Sequence, residues 1–548
     1  MAISSSTKER HRRTVLSIAV KSRVLVLTLF FVWRWLADPY DTSAELNRPC
    51  LAENSAWSAD IDGATDADRW APRLGRAIEK SVVWDGVYYV KIAECGYEYE
   101  QVHAFLPLLP LLMRFVARTF LPKLIPLLGL RATLALAGYL INNVSFVLAA
   151  YFLYRLTRAL LEDEKLALTA AALFCFNPAS AFYSAVYSES LFALLSFTGL
   201  VCFVSGAKWP SIVFFGLSSG VRSNGILHAG FFLFQAMHKV FHLASLQRSS
   251  MRIVSIVLVA ILQSVAVAAP FLAFQTYGYF QLCHDQIRSP PRPWCKSPLP
   301  YLYGFVQSQY WQVGFLRYFQ LKQLPNFLLA SPMLSLAIFS IFTYAKKQPK
   351  LLFSLGLAAS PSTQSKVAMF SHVDEMTFLA KGKGASKGPG GEDYKVASRG
   401  FFSPAAVCFL IQLCFMTAVA MFVMHVQVAT RFLSVSPPVY WCGAHLLLNG
   451  GARGKTGKLI WSSFLAPPCA MLGNNWTRAT TISKCEAVQV GSRWAIPELN
   501  LPSIESRQRD GTDGSHSFST CASSILFNEK RNIWGAYELP IILLEPNP

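Results

Sequence analysis

Charge is what this sequence has least of. Asp, Glu, Lys and Arg make up 15% of its 548 residues, where soluble domains carry about 25%. That shortage argues against the three or four soluble domains that length alone suggests at about 100–200 residues each. None of the 12 cysteines forms a pair at zinc-site spacing, so no structural metal is expected. The net charge of +19 comes without a nucleic-acid-binding motif, which leaves the cation excess as a sign of loops held on the cytoplasmic side of a membrane. No small-residue cleavage site precedes the Asp38-Pro39 break, and no retrieval tetrapeptide is seen at the C-terminus. What is present is apolar: 53% of the residues, 40 of them Phe, arranged in long runs, with a mean hydropathy of +0.34. This is an all-α polytopic membrane protein.

The run Val15–Leu36 follows the basic stretch Lys8-Glu-Arg-His-Arg-Arg13 and is interrupted by Lys21, Arg23 and Arg34. It is expected as an uncleaved first span that starts in the cytoplasm. Further spans are expected at about 132–154, 166–183, 188–205, 253–275, 326–345, 402–424 and 432–449. Two apolar stretches are irregular. Residues 104–130 hold Pro107, Pro110, Pro122 and Pro126, and 211–235 is broken by Arg222-Ser-Asn-Gly225. Both read as broken or re-entrant helices, which are tolerated where they line a cavity inside the protein. If each enters and leaves on one side, Arg155, Arg158, Lys165, Lys208, Lys239, Lys346 and Lys347 all become cytoplasmic.

The opposite side then receives a single acidic loop, 38–102, with thirteen carboxylates against six cations, while the rest of the chain carries +26. It also receives the aromatic loop 276–325. Cys50 and Cys95 lie in the first of these loops and Cys283 and Cys295 in the second, where an oxidising compartment would allow disulfides. The body is expected to span 1–450. Residues 360–400, rich in Gly, Lys and Ser, read as a disordered cytoplasmic loop, and 451–548 as an atypical, poorly ordered tail.

Ionisable residues at membrane depth are costly and mark sites. Trp84-Asp85-Gly-Val-Tyr88-Tyr89 and Ile92-Ala-Glu94-Cys-Gly96-Tyr97 place carboxylates among aromatics just before the chain re-enters the membrane. Asp85 there suits a general base, and equally the N-cap of a short helix. Glu189, in Tyr187-Ser-Glu189, is either a site residue or a solvated span end. Arg222, beside Asn224, offers a buried guanidinium suited to a phosphate. His425-Val-Gln427-Val-Ala-Thr-Arg431 is a second anion-site candidate. Trp311 belongs to an aromatic run that could stack on sugar or belt the membrane interface.

In order and spacing, these blocks resemble the phosphatidylinositol glycan class V family, GPI mannosyltransferase 2, over about residues 15–440. Tyr310-Trp-Gln-Val-Gly314-Phe315, Lys322-Gln-Leu-Pro-Asn326 and Met424-His-Val-Gln-Val-Ala-Thr-Arg-Phe-Leu433 complete the match. The resemblance implies a GT-C-type glycosyltransferase of the endoplasmic reticulum membrane with a luminal site. It would add the second, α-1,6-linked mannose to a GPI-anchor precursor. The donor would be dolichol-phosphate mannose, a substrate, so no cofactor is expected. Because the donor sugar is β-linked, the reaction would invert in one displacement, with Asp85 as base and Glu94 orienting the acceptor or supporting Asp85. Arg222, with His425 and Arg431 behind it, would counter charge on the donor phosphate. Trp84, Tyr88, Glu189, Asn224, Trp311 and Gln427 would hold substrate, and a small membrane subunit is a conceivable partner. Competing readings are a related transferase with another acceptor, and a non-catalytic scaffold or lipid transporter. Family members close with a further apolar span, which Leu459-Ile-Trp461 begins and Ala466-Pro-Pro-Cys469 ends early, so that span is expected to be missing.

Overall fold

The computed structural model describes residues 5–36, 50, 70–246, 250–283, 292–370 and 399–450, all of them in one compact unit. The first-loop segments 37–49 and 51–69, residues 371–398 of the polar loop, and the 451–548 tail lie outside the described residues. Among the described residues all regular structure is helical. Among the described residues, four stretches are long and apolar enough to cross a membrane: Leu130–Leu161, Ser250–Cys283, Leu321–Lys347 and Pro404–Phe422.

In chain order the helices that build the site and its frame are α1 (Ser5–Leu36), α2 (Asp85–Cys95), α3 (Leu108–Thr119), α4 (Leu130–Leu161), α5 (Glu164–Cys175), α6 (Glu189–Val204), α7 (Lys208–Val221), α8 (Ala229–Ser245), α9 (Ser250–Cys283), α10 (Leu324–Lys347), α11 (Val407–Phe422), α12 (Val426–Leu433) and α13 (Pro437–Gly450). An aromatic core ties several of them together. Phe146 of α4 stacks on Phe174 of α5 at 4.9 Å, and Phe174 meets Tyr183, Phe197 and Tyr440 edge-on. The fully buried Trp441 of α13 donates its indole N–H to Thr157 Oγ1 of α4 at 2.8 Å. On α9 the outward face is apolar and exposed, with Val254, Leu258, Ile261, Leu262 and Val265 turned away from the protein. That is the surface lipid requires.

Two expected spans are shorter than the apolar runs that suggested them. The helix that opens the 166–183 run ends at Cys175, because Pro178 offers no N–H and disfavours helix at the residue before it, and only the single turn Ser180–Ser184 follows. Asn177 closes that end, its Nδ2 donating to Phe174 O and its Oδ1 accepting from Ala179 N, both at 2.8 Å. The 432–449 run is split by Ser436-Pro437-Pro438 into the end of α12 and α13. The two proline- and arginine-broken stretches are indeed interrupted: 104–130 becomes α3 and two short turns, while 211–235 becomes α7, the 3₁₀ turn Ser223–His228 and α8. Cys50 is bonded to Cys95 and Cys283 to Cys295, with Cα separations of 5.5 and 5.8 Å.

The 3₁₀ turn packs so closely on the end of α7 that a Cβ at Gly225 would lie 2.4 Å from Ser219 N and 2.5 Å from Ser218 C. Backbone cannot yield as a side-chain tip does. Gly225→Ala is therefore expected to cost about 1–3 kcal/mol or more, read as a lower thermal midpoint of the detergent-solubilised protein. Gly230→Ala, where a Cβ meets nothing within 4 Å, should leave the midpoint unchanged or raise it.

Candidate active site

Each interruption in the helical frame delivers one ionisable side chain to a common place. Asp85 opens α2, directly after Trp84, whose φ of 51° puts a non-glycine residue in a sparsely populated region. Glu189 opens α6 after the irregular 176–188 segment. Arg222 stands at the break between α7 and the 3₁₀ turn in extended conformation. Arg431 lies in the last turn of α12. Together they form one chain of charges. Asp85 Oδ2 is 2.8 Å from Arg431 Nη2, Arg431 Nε is 2.5 Å from Glu189 Oε1, and the same Oε1 is 2.7 Å from Arg222 Nη1.

Burial is deepest at Glu189 and least at Asp85. The Glu189 side chain is 2% exposed, Arg431 12%, Arg222 16% and Asp85 32%, so the carboxylate of Asp85 is the end that meets the outside. The guanidinium of Arg431 lies 4.7 Å from the ring centres of both Phe182 and Tyr187, a cation–π setting that fixes its plane. Arg222 Nη1 also donates to Ser188 Oγ at 3.1 Å. Glu189 Oε2 is buried with no hydrogen-bond partner among the described residues. Beneath the chain, Tyr89 of α2 is buried against Ser188, and burial pushes its phenol up, keeping it a neutral hydroxyl. Asp85 does not cap its helix: it sits at the first helical position and turns to Arg431.

Other site candidates lie around this centre or apart from it. Glu94 is nine residues along α2, about 14 Å by helical rise and half a turn away in direction. It does not reach Asp85. Both its oxygens accept from Arg131 Nε of α4, at 2.7 and 2.9 Å, with Lys91 Nζ at 3.8 Å. His425 bonds through Nε2 to the carbonyl of Trp311 at 2.8 Å and packs on Tyr318 at 4.2 Å; burial pushes its imidazole down. Its geometry is that of a brace for the 276–325 loop. Trp311 meets Phe105 edge-on at 6.2 Å, and Phe105 stacks on Tyr88 at 4.7 Å, so Tyr88 and Trp311 share one aromatic cluster on the Asp85 helix. Asn224 lines a cavity of about 20 Å³ with Ser196, Gln412 and Ser436. Trp84 and Gln427 are exposed.

The sequence profile described as mannosyltransferase (PIG-V) matches residues 12–463. The chain belongs to this family. Among its relatives, the mouse protein named GPI alpha-1,6-mannosyltransferase 2 is 31% identical over 519 residues, covering 88% of this chain and 96% of that protein. The human protein of the same name is 31% identical over 457 residues, covering 80% and 84%. A GPI mannosyltransferase 2 of Drosophila pseudoobscura pseudoobscura is 32% identical over 414 residues, covering 69% and 81%. No solved structure matches. As a member of the PIG-V mannosyltransferase family the chain is a glycosyltransferase, and its helices make it a multispanning membrane one.

For a PIG-V mannosyltransferase, the arrangement offers two things that sugar transfer uses: a carboxylate partly open to the outside, and guanidinium groups directly behind it. Ser188, Phe182, Tyr187 and Tyr89, which complete this site, carry no sequence signal beyond their nearness to Glu189 and Asp85. Glu100 went unmarked among the thirteen acids of its loop. Its Oε1 accepts from Trp294 Nε1 at 2.6 Å and its Oε2 from the Tyr310 hydroxyl at 2.8 Å, with Arg292 Nε at 3.3 Å, so it fastens the second loop to the first.

Removing one member of a buried, paired set of charges typically costs about 3–5 kcal/mol, because the others are left uncompensated. Glu189→Ala, which would leave Arg222 and Arg431 facing each other, is expected to lose that much. The check is the monodisperse fraction and thermal midpoint in detergent, with Glu189→Gln intermediate.

Proposed function

We propose that this chain transfers the second, α-1,6-linked mannose to a GPI-anchor precursor on the luminal side of the endoplasmic reticulum membrane. The donor in this reading is dolichol-phosphate mannose, and the reaction is a single inverting displacement. The observation that carries it is the Asp85–Arg431–Glu189–Arg222 chain, with its carboxylate end the most open to the outside. The names of the mouse and human relatives, which state GPI α-1,6-mannosyl transfer, support the acceptor and the linkage.

Asp85 takes the proton of the acceptor 6-hydroxyl as its oxygen forms a bond to the anomeric carbon. The bond from that carbon to the phosphate oxygen breaks, and dolichyl phosphate leaves with the electron pair. This leaving group needs no separate acid. It needs cations where its charge grows, and Arg222 and Arg431 supply them. The Tyr88–Phe105–Trp311 cluster gives flat apolar faces for a sugar ring, while His425 holds Trp311 in place through its carbonyl. Glu94, paired with Arg131, belongs to acceptor orientation rather than to the proton transfer. The interrupted stretches 104–130 and 211–235 line the groove for the dolichol chain.

General-base catalysis is worth about 10²- to 10⁴-fold, which sets the scale of the test. In cells lacking this activity, Asp85→Asn is expected to reach wild-type abundance yet fail to return GPI-anchored proteins to the surface. In vitro, its mannose transfer from dolichol-phosphate mannose should fall by at least about 100-fold. Full rescue by the Asn variant at normal expression would refute Asp85 as the base.

A further inference from the structure

Arg23 lies in the middle of α1 with 3% of its surface exposed, and no carboxylate pairs with it among the described residues. Its guanidinium is spent on backbone and hydroxyl oxygens instead. Nη1 donates to Ser180 O at 3.1 Å and Ser184 Oγ at 2.8 Å, Nη2 to Cys175 O and Ser180 Oγ, both at 3.1 Å, and Nε to Ser22 Oγ at 3.3 Å. The Phe146 ring lies 3.6 Å beneath it. An apolar side chain here would avoid the cost of desolvating a cation but would leave the Cys175 and Ser180 carbonyls without these donors, so the arginine serves the backbone of that stretch.

Its partners fall within one stretch besides its own neighbour Ser22. Cys175 is the end of α5, where carbonyls lack helical partners, and Ser180 and Ser184 open and close the single helical turn in the segment that runs to α6. Two asparagines of α4 hold the same stretch: Asn142 Nδ2 donates to Ala185 O at 2.6 Å and Asn143 Nδ2 to Ser184 O at 3.1 Å. Directly after α12, Ser434 Oγ meets the Tyr183 hydroxyl at 3.0 Å. Four residues beyond Ser184 the segment delivers Ser188, then Glu189, to Arg222 and Arg431.

We infer that Arg23 is a positioning residue for mannosyl transfer, locking the 176–188 segment so that Glu189 stands between the two arginines and Arg431 is aimed at Asp85. The inference rests on the transfer reading given above for its activity arm, and on geometry alone for its labelling arm.

The test compares full-length Arg23→Met and Arg23→Lys, each also carrying Ala185→Cys as a probe on the half-buried segment, with the Ala185→Cys background and a control lacking the added thiol. For Arg23→Met at normal abundance, kcat for transfer from dolichol-phosphate mannose should fall by about 100-fold, the loss expected for a misplacement of about 1 Å. Alkylation of Cys at 185 by a maleimide should quicken by about tenfold as the segment opens locally. Arg23→Lys, which keeps the charge and three donors, should recover most of both. Unchanged turnover in Arg23→Met, or lost turnover with unchanged labelling, overturns the inference. Should Arg23→Met fail to accumulate, Ser180→Ala with Ser184→Ala carries the same test with the arginine kept, and wild-type behaviour in both readouts overturns it. Failure of the transfer reading itself appears elsewhere, as no mannose transfer from dolichol-phosphate mannose by the unsubstituted chain, and leaves the labelling result standing.

Discussion

One oxygen atom organises this site. Glu189 Oε1 lies within 2.7 Å of guanidinium nitrogens from both Arg222 and Arg431, in a side chain almost wholly removed from water. A carboxylate so placed is tolerable only if cations reach it, and those cations must come from distant parts of the chain. The requirement fixes the ends of α6, α7 and α12 relative to one another, and through Arg431 it fixes α2 as well. Guanidinium suits the task better than ammonium, since its planar fork lets Arg431 bond Glu189 through Nε and Asp85 through Nη2 at once.

The cost of this geometry is irregular backbone inside an apolar frame, and polar side chains meet it locally. Arg23, Asn142 and Asn143 serve the 176–188 segment. His228 Nδ1 lies 2.8 Å from Gly225 O at the break after α7, and the Tyr440 hydroxyl donates to Ser434 O, 2.5 Å away, at the break before α13. The second loop is fastened on the outside by another set of contacts. Glu100, the Cys283–Cys295 bridge and His425 each hold one part of it, and Gly314 N and Leu316 N donate to Val423 O and Phe422 O at 3.0 and 2.7 Å. Trp311 reaches the aromatic cluster of α2 because these four sets of tethers bring its loop there.

The helical frame was legible because apolar runs and cations sort themselves along a membrane chain. The breaks at Pro178 and Pro437 were legible too, yet composition read through both, since an apolar run scores as one span whatever interrupts it. Asp85, Glu189, Arg222 and Arg431 stood out as ionisable groups in apolar surroundings, but their pairing joins residues up to 346 apart and no local spacing encodes it. For Glu94 the resemblance left two roles open, orienting the acceptor or supporting Asp85; helical periodicity puts the two residues on opposite faces of α2, where Glu94 pairs with Arg131. Arg23 read as a mere interruption of the first apolar run, because nothing near it in sequence names carbonyls more than 150 residues away as its partners.

The balance of charge at the site bears on how the proposed transfer would proceed. Two carboxylates and two guanidiniums cancel before any substrate arrives, so the site has no surplus cation standing idle. A donor phosphodiester carries one negative charge, and the departing phosphate gains another as the sugar bond breaks. In the proposed step Asp85 would take up the acceptor proton, and its attraction for Arg431 would fall. The guanidinium would then be free to turn toward the phosphate as the phosphate came to need it. Glu189 would stand outside this exchange: its buried carboxylate, bonded to Arg431 Nε, would keep that arginine attached while Nη2 changed partner. On this account the buried acid and the exposed acid have opposite duties. One must hold its arginine throughout, and the other must let go of it on time.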